Sequence, residues 1–141
     1  MTELENSEIV RHVLQALINI SSRKTTQGQA ISTMHELIKK LKDKYDFLKH
    51  VEIKDTTFLE LDDPVTVMSE IDGVGSNKIG KALHDIIQTV NSNLGKDAGY
   101  FFIKELKSRM GHDYISTIEE MGLDLGLMQL EFEVNELTKK L

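Results

Sequence analysis

The sequence predicts an α+β domain that is mostly helical, with an N-terminal helical hairpin, a small antiparallel β-meander and a C-terminal helical layer. Three observations carry that prediction. Apolar residues step by three and four over residues 7–21 and again from about residue 26. Between residues 49 and 71 they alternate with polar ones instead, as in half-buried strands. From residue 79 onward the helical stepping returns.

Composition bounds what such a domain is expected to do. At 141 residues, 40% apolar and 28% charged, the chain reads as one domain, 1–141, long enough to bury a core of its own. It has no cysteine, which removes thiol nucleophiles, thiolate zinc sites and disulfide frameworks together. Met1-Thr2-Glu3-Leu4-Glu5-Asn6 has no basic flank and no apolar core, so no secretory signal is expected. Charge interrupts every apolar run, and a membrane span is not expected either. The expectation is a cytoplasmic protein. The net charge of −6 is uneven, with eight basic against six acidic residues in 1–50 and nine against seventeen in 51–141. An acidic whole argues against nucleic acid as a partner.

Each element has its own signal. Ser7 is a fair N-cap for the first helix, whose stripe is Ile9, Val13, Leu17 and Ile20, widened by Val10 and Leu14. Ser21-Ser22-Arg23-Lys24-Thr25-Thr26 breaks the pattern and offers caps for a second helix carrying Ala30, Met34, Leu37, Ile38 and Leu41. A link this short predicts an antiparallel hairpin. Its lysines, Lys39, Lys40, Lys42 and Lys44, read as a solvated face. Val51 and Ile53, then Thr57, Leu59 and Leu61, then Val65, Val67, Ser69 and Ile71 alternate, predicting two or three strands with Asp62-Asp63-Pro64 as a turn.

Gly73-Val74-Gly75 leads to Ser76, read as the N-cap of a third helix with Ile79, Leu83, Ile86, Ile87 and Val90 on its apolar face. Asp97 is read as the cap of an aromatic helix ending at Met110, and Gly111 as the residue just past it. Around that helix the rest is expected to pack, because Tyr100, Phe101, Phe102 and Ile103 cannot share one face. Asp113 and Gly122 bracket a short helix. In the tail, Met128, Leu130, Phe132 and Val134 alternate like a strand, while Leu127, Leu130, Val134, Leu137 and Leu141 step like a helix; a cap at Asp124 favours the helix.

Chemical motifs are sparse. Gly75-Ser76-Asn77-Lys78-Ile79-Gly80-Lys81-Ala82 has the glycine and lysine spacing of a phosphate-binding loop. Ala82 stands where such a loop needs a Mg²⁺-binding hydroxyl, and the helical pattern begins at Ile79, before the Gly80-Lys81 pair. The stretch reads as a capped turn, with Gly80 allowing close packing. Gly73, Gly75 and Ser76, with Lys81, and Arg23, Lys24 and Thr25 remain candidates for an anion held at a helix start. Asp55, Glu60, Asp62, Asp63, Glu70 and Asp72 crowd the strand region without calcium-loop spacing and read as a solvated turn. The five histidines form no metal-spaced pair, and His84-Asp85 and His112-Asp113, as sequence neighbours, do not make dyads. No catalytic residue, metal or cofactor is implied.

Leu94-Gly95-Lys96-Asp97-Ala98-Gly99-Tyr100-Phe101-Phe102-Ile103-Lys104-Glu105-Leu106 resembles the closing helices of small archaeal signalling output domains. The resemblance implies a regulatory role and no particular site residue. The function expected is therefore a non-enzymatic regulatory or protein-interaction domain that forms a homodimer or binds another protein. Its expected interface is Tyr100, Phe101, Phe102, Leu127, Leu130 and Val134. A small-molecule or anion sensor and an enzyme of unrecognised type are the alternatives.

Overall fold

The computed structural model describes residues 4–54, 64–94 and 102–139, with side chains described for all of these except residues 24 and 135–139. The described residues form six α-helices and one two-stranded antiparallel sheet, the mostly helical α+β architecture read from the sequence.

Helix α1 (Asn6–Lys24) is the hub. It packs against α2 (Gln27–Leu41), α3 (Ser76–Leu94), α4 (Phe102–Met110), strand β2 (Val65–Val67) and the 3₁₀ turn Ser69–Gly73. The cause lies in its apolar positions: Ile9, Val10, Val13, Leu14, Ala16, Leu17, Ile18 and Ile20 are all buried. At about 100° per residue they cover more than half of the helix circumference. Sequence reading placed the centre at the aromatic helix instead, because large rings signal burial more loudly than a wide stripe of aliphatics. The start of α4 is nevertheless buried on adjacent phases, with Phe102 and Ile103 both enclosed.

Helix α1 also begins and ends differently from the reading. Glu5, not Ser7, is the N-cap residue, and it makes no side-chain cap. Asp72 of the 3₁₀ turn does the capping from 65 residues away, accepting the Ser7 amide at 2.8 Å. Asn6 Nδ2 donates to the Val74 carbonyl at 2.8 Å, tying the same two segments together. At the other end the helix runs through the serines to Lys24, because Ser22 Oγ and Thr25 Oγ1 donate to the Asn19 and Ser21 carbonyls. Thr26 then caps α2 through the Gln29 amide, and the two-residue link folds α2 back on α1.

Strand β1 (Val51–Ile53) follows a 3₁₀ turn, Asp46–His50, and pairs with β2 in the register Val51↔Val67, Glu52↔Thr66, Ile53↔Val65. Pro64 sits just before β2, where its carbonyl accepts the Lys54 amide and no amide is required of it. The strand stops at Val67. Ser69 and Ile71 lie in the 3₁₀ turn, whose spacing of three also points Ile71 inward, fully buried. Thr57, Leu59, Leu61 and the Asp62-Asp63 part of the turn lie outside the described residues, as does Asp97.

Ser76 is the first residue of α3 rather than its cap; the Gly75 carbonyl accepts the Lys78 and Ile79 amides. Gly111 (φ 86°) alone links α4 to α5 (His112–Glu120), and Gly122 (φ 94°) closes α5, both in the backbone region that glycine tolerates. Asp113 therefore falls inside α5 instead of capping it. His12 of α1 closes α4: its Nε2 lies 3.1 Å from the Met110 carbonyl while its ring stacks on Tyr114 at 4.0 Å. The tail is helical, α6 (Leu125–Lys139), with Asp124 accepting the Leu127 amide at 3.0 Å.

Candidate functional site

Helix α6 is apolar on two opposite faces. Leu125 and Met128 are buried and Phe132 is half-buried, its ring meeting Phe102 of α4 edge-on at 6.4 Å. Leu127, Leu130 and Val134 stand 54%, 58% and 58% exposed. With 3.6 residues per turn, the two sets fall about 180° apart. One stripe packs on α4 and the opposite one faces solvent. Both derive from one sequence pattern, whose mixture of twofold and helical spacing made the tail ambiguous between strand and helix. On a helix, Met128, Leu130, Phe132 and Val134 fall alternately on opposite faces, so two apolar stripes carry both periods.

The other expected interface residues divide. Phe102 is 1% exposed and belongs to the chain's own core. Tyr100 and Phe101 lie outside the described residues.

The anion candidates fall into two separate groups. Gly73 closes the 3₁₀ turn, Gly75 and Ser76 start α3, and this end of α3 lies beside the start of α1 through Asn6. Arg23 and Thr25 lie at the far end of α1, roughly 25 Å away at 1.5 Å per residue. Lys81 is exposed within α3, and Lys24 is the last residue of α1. Gly80 has the packing role read for it: an added Cβ would overlap the Met121 carbonyl, so α3 passes directly against the turn after α5. Thr25 closes α1 through its hydroxyl and amide, both donating to the Ser21 carbonyl.

Arg23 does meet partners that sequence separation conceals. Together with Lys104, Glu105, Ser108 and Arg109 of α4 it lines a cleft of about 460 Å³. Glu105, 21% exposed, accepts from Arg23 through Oε1 and from Arg109 Nε at 3.2 Å through Oε2. The i,i+4 spacing of Glu105 and Arg109 is visible in the sequence. Their meeting with Arg23, 82 residues earlier, needs the α1–α4 packing.

The remaining polar contacts join elements. Tyr45 Oη donates to Asp85 Oδ2 at 2.6 Å and Lys44 Nζ lies 2.9 Å from the same oxygen, fastening the end of α2 to α3. Burial pushes the Asp85 carboxyl up, but those two hydrogen bonds outweigh it and hold its pKa below the ordinary value. Burial, then the bond to Asp85, raises the Tyr45 hydroxyl. His84 Nδ1 comes within 3.7 Å of Asp85 Oδ1, closer than neighbours on a helix were expected to approach, yet longer than a hydrogen bond. Of the acidic residues around the strands, Asp72 caps α1, while Asp55 to Asp63 lie outside the described residues. Among the described residues no group of three or more His, Asp or Glu is placed to hold a metal ion, and no helix is long and apolar enough to cross a membrane. No protein-family model matches the chain, and no match is found among curated proteins or among solved structures.

Proposed function

We propose that this chain is a small regulatory interaction module that pairs with a second copy of itself through the outer face of α6. The observation that supports this reading is the second apolar stripe, Leu127, Leu130 and Val134, opposite the stripe already packed on α4. Isolated exposed leucines are ordinary on protein surfaces, but three residues at i, i+3 and i+7 line one seam along two turns of a helix. Two copies of such a seam are complementary under a twofold axis, each α6 covering the other. The titratable clusters favour an interaction role over a catalytic one, since Tyr45, Lys44 and Asp85 engage one another across two elements. The likeness of residues 94–106 to the closing helices of signalling output domains fits a regulatory role.

Sedimentation equilibrium tests the pairing. The wild-type chain is expected as a dimer at micromolar concentration and Leu130→Glu as a folded monomer, because a charge would be buried without a partner in the seam. A wild-type monomer throughout that range, or a variant that still dimerises, would remove the reading.

A further inference from the structure

We infer that the two copies pair with their α6 helices parallel, both starts at the same end of the dimer. This deepens the pairing proposed above and rests on it. Leu127, Leu130 and Val134 follow the alternating spacing of a two-stranded coiled-coil seam, and the sequence continues that spacing at Leu137 and Leu141. Leucine at one kind of seam position and valine at the other, as at Leu130 and Val134, favours two strands in parallel pairs. Each chain's own α4 packs on the opposite stripe of α6, away from the seam. The residues along the edges of the seam are therefore left to decide its direction.

Helical phase puts Glu131 along one edge and Gly126 and Glu133 along the other. Glu131 is exposed, and the Glu133 carboxylate accepts from Gln129 Nε2 at 3.0 Å, which holds it on its own edge. In an antiparallel pair centred on the seam, like edges meet. Glu131 then stands beside the second copy's Glu131, and Glu133 beside its Glu133, on a chain whose net charge is already −6. Sliding such a pair by one repeat parts the carboxylates but carries Leu127 or Val134 beyond the second copy's seam. In a parallel pair, opposite edges meet. Glu131 lies beside the second copy's Gly126, and Glu133 beside position 138, a threonine in the sequence. Gly126 brings no charge and belongs to the first turn of α6, which holds no acidic residue and whose backbone amides carry partial positive charge. Asp124, which caps that turn, lies by helical phase on the other edge. Each Glu131 thus exchanges a repulsion for an attraction when the helices run the same way.

Disulfide trapping in the full chain, which has no cysteine of its own, tests the direction. Leu127→Cys and Val134→Cys are made as separate variants. In a parallel pair each seam residue faces its own counterpart, and both variants should cross-link under mild oxidation. In an antiparallel pair, a residue moves about 3 Å further from its counterpart for each position away from the axis. The two variants could not then both bring their Cα atoms within the roughly 7 Å that a disulfide spans. Mixing wild type with Glu131→Lys reads the direction without altering the seam. Parallel helices keep the two 131 positions on opposite sides, so the heterodimer should form at the statistical constant, about twice the geometric mean of the two homodimer constants. A wild-type dimer by sedimentation in which only one cysteine variant cross-links, or neither, overturns the direction and leaves the pairing in place. Several-fold enrichment of the heterodimer, the mark of Lys set against Glu, does the same. A wild-type chain that stays monomeric removes the pairing, and the direction with it.

Discussion

Asp72 shows how a single carboxylate can decide where a helix starts. The Ser7 amide donates to it, and that hydrogen bond holds its pKa below the ordinary carboxylate value. A group depressed in this way stabilises the fold above its unfolded pKa and loses that contribution as pH falls through the depressed value. Glu5 works in the opposite direction. Repulsion from Asp72, first among its causes, raises its pKa, so its ionised form opposes folding at neutral pH. Replacing Glu5 by Gln should therefore raise the thermal midpoint at pH 7, with the gain lost at an acid pH, once pH has fallen through the raised pKa of Glu5 and its charge is gone. Asp72→Ala should cost about 1 kcal/mol at pH 7, as loss of an N-cap usually does. Thermal unfolding followed by circular dichroism at the two pH values checks both, and an unchanged Asp72→Ala midpoint would deny the cap its role. The acidic character of residue 72 was legible in the sequence. Its pairing with residue 7 was not, because it depends on a tertiary approach with no local pattern.

At the scale of elements, periodicity carried most of the information. Helices α2, α3 and α6 follow the apolar stepping that predicted them, and Thr26, Asp124 and Gly122 act where their residue types suggested. Failures cluster at ends. Ser21 to Thr26 looked like a break because hydroxyl residues favour caps and turns, yet the Ser22 and Thr25 hydroxyls donate back to carbonyls in the helix's own last turns. Ser69 and Ile71 extended an alternating pattern that a 3₁₀ turn satisfies equally well for one buried residue. Gly80 permits a quantitative check of the α3 contact. In an exposed helix, Gly→Ala gains about 1 kcal/mol from propensity. Here the new methyl would overlap the backbone carbonyl of Met121, so Gly80→Ala should lose about 1–3 kcal/mol net in denaturant unfolding. A stabilised variant would mean that α3 and the α5 turn can separate freely. Phe102→Ala should cost about 3–5 kcal/mol, since the ring is enclosed and supports Phe132 from beneath. A loss under about 1 kcal/mol would place the ring outside the cohesive core.

For the whole molecule, the buried side chains form one cluster that runs from α1 through the sheet to α6. The fold class was legible because hydrophobic burial imposes its period on each segment separately. The identity of the central element was not, since it depends on how many neighbours a helix meets and not on its own sequence alone. The apolar faces of α4 and α6 were legible in part. Leu127, Leu130 and Val134 were expected at an interface and are exposed, whereas Phe102, expected there too, turned inward because α6 covers it. Arg23 was singled out for its charge and helix-end position, while Glu105 and Arg109 gave no reason to be linked to it. The absence of cysteine allows a direct test of pairing in the intact chain. A spin label on Glu131→Cys, exposed on α6 beside the seam, reports intermolecular distances by pulsed electron resonance. A second copy seated on α6 predicts one narrow intermolecular distance that disappears when Leu130→Glu is added. A label that shows no intermolecular coupling at concentrations where the seam should be paired, or coupling that survives Leu130→Glu, would contradict it.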